Sequence, residues 1–299
     1  MDSENCFEHQ LLTMTTIIET VVIKDKKVYS FQGSGFYYNE MKPADPTKTG
    51  PQWYSLEKYW LVTNRHVVLP KVNEVECVPD KFVFCLRESN NGNIEWRPIT
   101  LSKEELLANM KLHQQPEVDV ALIDITTYIK DIINDIAAQK ISNNLFLPTT
   151  LSNNNLPENQ PITIDVTSDI IVASYPKGFY DKVNKFPIVK SGIVASAWGS
   201  NFNGLPIFQI DAQLFPGSSG GLVISKPTNI ATIGGNLKFS KIKQFVLLGV
   251  YSGEFKWYEE IEIAGTKYRM GNSYGLGNVW YSYLIPQIIN DGIKYNNID

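Results

Sequence analysis

Two adjacent serines, Ser218 and Ser219, lie among three glycines in the segment PGSSGG (216–221), between the apolar runs IFQIDAQLF and LVIS. Proline, glycine and serine are turn formers, so the segment reads first as a tight turn between two strands. It also has the ingredients of a nucleophile. A serine hydroxyl is weakly nucleophilic at neutral pH and needs a base within hydrogen-bond reach, itself oriented by a third group. The sequence holds only three histidines. His9 belongs to an N-terminal stretch expected to fray, and His113 to the polar, loop-like KLHQQPE. His66 follows the strand-like run YWLVT in YWLVTNRHVVLP, which suits a ring projecting from a structured strand end.

An acid that orients such a base works best in an apolar setting, where water dilutes its hydrogen bond least. PEVDVALIDI offers Asp119, flanked by valines, and Asp124, five residues on, which can equally point to solvent. The glycines meet a further need. Stabilising negative charge on an attacked carbonyl takes two converging backbone N–H groups in a turn free of obstructing side chains, and Gly217 and Ser219 are the candidate donors.

The elements that must position these groups are mostly short β-branched or aromatic runs separated by turn residues, the pattern of an all-β protein. Three stretches read as helices. Ser102 and Glu105 form a capping box ahead of LLANMKL. TTYIKDIINDIAAQK carries Ile129, Ile132, Ile133, Ile136 and Ala137 at helical spacing. LIPQIINDGI predicts a short terminal helix from near Pro286. Residues 141–160, rich in Asn and Pro, predict a linker, and residues 39–55 a long exposed hairpin loop.

Composition narrows the classes. With 43% hydrophobic and 19% charged residues the chain is of ordinary globular type. No run approaches the roughly 18 apolar residues of a spanning helix. The first ten residues carry acids where a secretory signal carries Lys or Arg. Cys6, Cys77 and Cys85 are too few and too odd in number for a disulfide framework and lack zinc-site spacing, so no metal or cofactor is expected and a reducing, cytoplasmic setting is. A net charge of −4 without a basic stripe argues against nucleic acid as partner, and with no spanning run no membrane partner is expected.

Taken in order, the motifs resemble those of the chymotrypsin-like serine peptidases, and within them the bacterial HtrA/Deg-type trypsin-like branch. They are GSGF (33–36), TNRHVV with His66, DVALI with Asp119, SYPKG (174–178), KSGIVAS (190–196) and DAQLFPGSSGG from Asp211. The resemblance implies two antiparallel six-stranded β-barrels with a few short helices and a C-terminal helix. The N-terminal barrel would occupy residues 1–140 and carry His66 and Asp119; an interbarrel linker would span 141–160; the C-terminal barrel, 161–299, would carry Ser219. It further implies Ser219, the serine of G-x-S-G-G, as nucleophile, His66 as general base, Asp119 as its orienting acid, and the amides of Gly217 and Ser219 as the oxyanion hole.

LLGVYSG (247–253) looks like the family's strand beside the primary specificity pocket, with Ser252 next to the buried acid and Tyr251, Ser252 and Gly253 edging the cleft. Gln213 and Leu214 would fall in the pocket floor. Neither is charged, so the expected preference is for small or medium apolar side chains, with little for Lys or Arg. Ser218 stands where secreted digestive relatives carry the acid that captures a new N-terminus, so that activation switch is not expected. HtrA relatives commonly carry a signal or anchor and a PDZ domain; the expectation here is a stand-alone intracellular protease domain. The implied activity is a serine endopeptidase acting on polypeptides through an acyl-enzyme, with an activating protein partner as a further expectation. The alternative is a catalytically silent or partner-activated module that binds extended peptides.

Overall fold

The apolar runs of this sequence do not alternate cleanly with polar residues, and the structure shows why. The computed structural model describes residues 7–43, 54–91, 93–140, 144–177, 179–233, 236–263 and 266–295. In the first half, helix α1 (Phe7–Met14) leads into β1 (Thr15–Lys24), β2 (Lys27–Pro43) and β3 (Tyr54–Thr63), then helix α2 (Arg65–Val68). The short hairpin β4 (Lys71–Val72) and β5 (Val75–Glu76) follows, then the longer one of β6 (Lys81–Asn90) and β7 (Asn93–Ser102). Helix α3 (Lys103–Asn109), β8 (Met110–Leu112), β9 (Ala121–Asp124), helix α4 (Thr126–Ala137) and β10 (Leu145–Phe146) complete it.

The second half contains β11 (Asp169–Ser174), β12 (Ile188–Val194), β13 (Ile207–Asp211), β14 (Leu222–Ser225), the hairpin β15 (Thr228–Ile233) and β16 (Asn236–Gln244), and the long ribbon β17 (Leu247–Ile263) and β18 (Thr266–Tyr281). Helix α5 (Leu284–Asp291) follows.

Side chains alternate faces along a strand, and here both faces are buried. On β2, Tyr37 faces the core of its own half while Phe36 and Tyr38 pack across to the other half. On β3, Leu61 turns inward and Trp60 and Val62 across. The second half mirrors this: Ile170 and Val172 fill its own core, while Ile171 and Ala173 join the shared seam. Helix α5 covers that seam with Leu284, Ile285, Ile288 and Ile289.

The expectation of two closed barrels is corrected. β11-β12-β13-β18-β17-β14 form a closed six-stranded barrel, but the first half is an eight-stranded sheet in the order β10-β6-β1-β2-β3-β9-β8, with β7 paired to β6. No ladder joins β7 to β8 among the described residues. The chain leaves β7 directly into α3, whose capping box at Ser102 and Glu105 starts the helix at once. Helix α3 packs against β6, β7 and β9, and its Leu106, fully buried, joins the core of the first half.

Two smaller expectations also change, and the expected linker proves packed. The N-terminal stretch is not frayed from Phe7 on: α1 buries Leu11, Leu12, Thr13 and Met14, and His9 stacks edge-on against Phe146. Residues 39–43 and 54–55 belong to the β2–β3 ladder rather than to an exposed loop, and Asn39 is buried; residues 44–53 lie outside the described ones. The 144–160 stretch is bound to the first half, since Leu151 N donates to Tyr37 O (3.0 Å) and Asn39 N to Leu151 O (2.8 Å), with Leu145, Leu151 and Leu156 buried.

Because Leu106 is fully buried in the first half's core, Leu106→Ala should cost about 2–5 kcal/mol. Urea denaturation followed by tryptophan fluorescence should show a lower midpoint with an unchanged slope.

Candidate active site

Strand β3 stops before His66. The chain turns at buried Asn64, whose carbonyl accepts from the amides of Val67 (3.1 Å) and Val68 (3.3 Å), giving the single turn of α2. Val67 and Val68 sink into the first half's core and leave the His66 side chain, 45% exposed, on the opposite side. His66 therefore sits on a helical turn, not on the strand end expected. Arg65 braces that turn through a two-point bridge to Glu76, Nε–Oε1 3.0 Å and Nη2–Oε2 2.8 Å.

Asp119 meets this turn at three points. Its Oδ2 lies 2.6 Å from His66 Nδ1, its Oδ1 accepts from the His66 amide (2.9 Å), and its own carbonyl accepts from Asn64 Nδ2 (2.7 Å). Ser252, from the second half, donates its hydroxyl to the same Oδ2 (2.7 Å). An ionised carboxylate only accepts, so Nδ1 carries the imidazole proton and Nε2 keeps its lone pair. Asp124, the competing acid, instead caps α4 by accepting from Thr126 N (3.0 Å) and lies 3.9 Å from Lys58 Nζ. Burial disfavours the His66 imidazolium, but the charge and hydrogen bond of Asp119 outweigh it, and the ring's pKa is raised above its ordinary 6.5.

The PGSSGG turn comes from the other half. Gly217 has φ +93°, the left-handed region, and a Cβ there would lie 2.5 Å from Lys177 N. The amides of Ser218, Gly220 and Gly221 are committed to Phe215 O (3.0 Å), Tyr251 O (2.8 Å) and Ser218 O (2.9 Å). Those of Gly217 and Ser219 have no hydrogen bond among the described residues, and the Pro216 carbonyl is turned away to accept from Lys177 N (2.8 Å). The two serines differ in setting: Ser218 is fully buried against Ser174 Oγ (3.1 Å), whereas Ser219 is half-buried. The Ser219 hydroxyl donates to Ser252 O (2.9 Å), and no hydrogen bond joins it to His66 among the described residues.

Ser34 ties the two halves together beside this turn. Its hydroxyl accepts from Tyr175 N (2.8 Å) and donates to Gly217 O (2.8 Å), and its amide donates to Ser219 O (2.7 Å). Thr63 Oγ1 donates to the Ser34 carbonyl (2.7 Å). The phenol of Tyr175 is held in turn by buried Arg87, which also donates to Thr15 O (2.8 Å).

A cavity of about 160 Å³ includes Ser219 in its wall and is lined by Leu214, Phe215, Pro216, Tyr251, Gly253 and Glu254. Of the residues expected around a specificity pocket, Leu214, Tyr251 and Gly253 are on this lining. Gln213 is exposed and lies outside the lining, and Ser252 turns to Asp119 instead. A larger cavity of about 610 Å³, bordered by His113 and Asp291, contains none of these groups. No cluster of His, Cys, Asp and Glu suits a metal ion among the described residues. Cys77 and Cys85 are free; burial pushes the Cys85 thiol up to about 12, and Cys6 lies outside the described residues.

The model of the trypsin-like peptidase domain matches residues 33–229, more than half of the chain and a span that includes Ser34, His66, Asp119 and Ser219. The chain belongs to the trypsin-like peptidase family. Among solved structures it is similar to the active form of the Rv3671c protease from M. tuberculosis, at 15% identity and TM-score 0.44, covering 97% of this chain and 85% of that one. It is similar also to Deg5, at 14% identity and TM-score 0.41, covering 81% and 80%. No curated protein matches.

Sequence reading missed three contributors: the Arg65–Glu76 brace and the Ser34 node within the trypsin-like peptidase domain, and Glu254 beyond the matched residues. Ser34 had a signal, since GSGF places one small polar residue between glycines. Glu254 had none, because its place depends on a strand irregularity.

The raised His66 pKa has a measurable consequence. The imidazolium–carboxylate pair adds stability below about pH 6.5 that is lost as pH rises through the higher folded value. An NMR titration of the His66 ring should give a midpoint above 6.5, and Asp119→Asn should move it down. An unchanged midpoint in that variant would mean that Asp119 does not set the ring's charge.

Proposed function

We propose that this domain is a serine endopeptidase in which Ser219 is the nucleophile, His66 the general base and Asp119 the group that fixes the base's tautomer. The observation that carries the reading is the pair of uncommitted amides, Gly217 and Ser219, in a turn where the neighbouring amides are all bonded. Unpaired backbone donors in a tight, largely buried turn are costly, and their placement around a serine suits an incoming oxyanion.

For reaction the Ser219 hydroxyl must leave the Ser252 carbonyl, by a change of staggered rotamer, and donate to the unprotonated Nε2 of His66. Oγ then bonds to the substrate carbonyl carbon as its proton passes to Nε2. The carbonyl electron pair moves to oxygen and is held by the Gly217 and Ser219 amides. Collapse breaks the C–N bond, and the amine leaves with the proton from Nε2. Water repeats the sequence on the acyl-enzyme with His66 again as base. Asp119 stays ionised throughout, and Ser252 and the His66 amide hold it in place.

One observation favours a partner-activated variant of the same chemistry: the Ser219 hydroxyl rests on Ser252 O (2.9 Å), away from the base. A fluorophosphonate probe separates the two readings. Labelling of the purified chain alone, abolished in Ser219→Ala, is the expected result; absence of labelling in folded wild type counts against constitutive activity. Asp119→Asn should slow peptide hydrolysis by up to about 10⁴-fold through the wrong tautomer. Since the reaction needs neutral imidazole, kcat/KM should rise with pH through a midpoint above 6.5, and a midpoint well below that would remove His66 as the base.

A further inference from the structure

The pocket beside Ser219 holds a charge that no protein group answers. Glu254 is half-buried in its wall, and its carboxylate has neither a hydrogen bond nor an ion pair among the described residues. Tyr251, only 2% exposed, lines the same pocket, and its hydroxyl is likewise without a hydrogen bond among the described residues. Burial, with the charge of Glu254 adding to it, pushes the Tyr251 phenol up, which keeps that hydroxyl neutral. Lys190, whose Nζ lies 5.2 Å from the ring centroid of Phe215, makes no ion pair with Glu254 among the described residues. Leu214, Phe215 and Pro216 supply the apolar remainder.

An unpaired carboxylate in a partly desolvated, apolar-walled pocket is unfavourable until a cation reaches it. A long basic side chain fits on both counts, since its methylenes lie along apolar wall while its head reaches an acceptor. We propose that Glu254 makes this pocket the receptor for a cationic side chain, so that cleavage falls after lysine or arginine. The proposal rests on the peptidase reading above. It replaces the apolar preference expected from Gln213 and Leu214, since Gln213 does not line the pocket and Glu254 does.

The test is a peptide series varied only at the residue before the scissile bond (Lys, Arg, Leu, Ala, Glu), run on wild type, Glu254→Gln and Glu254→Lys, with fluorophosphonate labelling as a common control. Wild type should favour Lys and Arg over Leu by about tenfold or more, the scale of one charge-assisted contact. Glu254→Gln should erase that ratio, and Glu254→Lys should shift it toward Glu. Labelled, active protein that prefers Leu or Ala, with a ratio indifferent to Glu254→Gln, overturns the proposal and leaves the peptidase reading intact. Should nothing be labelled or cleaved, the peptidase reading fails, and n-butylammonium binding to Ser219→Ala, followed by NMR, judges the pocket alone. Saturable binding that is lost on adding Glu254→Gln supports the cation site, and no binding overturns it.

Discussion

Where strands β2, β3, β9, β11 and β14 meet the seam between halves, they have no face left for water. There each sends alternate residues into its own half and the others into the seam, so polar chemistry is excluded from these segments and displaced to their ends. The groups of the candidate site obey that constraint. Thr63 ends β3, Asp119 lies just before β9, Ser174 ends β11, and Ser219 lies just before β14. Ser34 is the exception in position, lying within β2, yet it precedes the first seam residue of that strand, Phe36. A site assembled from strand ends inherits its geometry from apolar packing, because nothing else fixes the relative placement of the two halves so firmly.

Apolar packing is non-directional, and the site needs direction. Hydrogen bonds across the seam supply it, and two of the groups that make them stand at the site. Ser34 uses its amide, hydroxyl and carbonyl together, and its partners belong to β3, to the segment after β11 and to the serine turn. Asp119 does the same with a charge: its carboxylate accepts two bonds from His66 and one from Ser252. Donors from both halves thus satisfy one partly buried carboxylate, and displacing either half would leave it underbonded, at a cost of about 1–3 kcal/mol per lost partner, more for a charged group. The acid is at once the orienting group for the ring and a latch between the halves.

How much of this was legible follows from which interactions are local. Turn chemistry is local, so PGSSGG announced itself; so did the Ser102–Glu105 box and the helical face of α4. The choice of His66 among three histidines rested on a neighbouring strand, which exists, although the ring sits one turn beyond it on α2. Asp119 and Asp124 were inseparable by neighbourhood alone, since both flank the same apolar run. Their difference lies in which strand end faces the seam. The expectation of a second closed barrel failed because closure depends on one non-local ladder, and a capping box at the end of β7 diverts the chain into α3 before that ladder can form. Helix α1 was hidden because LLTM reads equally as the start of a strand.

The pocket illustrates a different limit. Counting back from the serine put Gln213 and Leu214 at its base, but adjacent residues of an extended segment point opposite ways, so at most one of the two can face in, and Leu214 is the one that does. Counting along LLGVYSG runs into a bulge. The β17–β18 register shifts between Tyr251 and Gly253 and again between Glu254 and Lys256. Strict alternation would put Glu254 on the same side as Ser252, toward Asp119. The extra residue breaks that rule, as bulges do. Ser252 alone turns to the acid, while Tyr251, Gly253 and Glu254 share the pocket wall. One irregular step in a strand therefore separates two carboxylates into two environments. Asp119 is saturated by protein donors, and Glu254 is left open to a ligand.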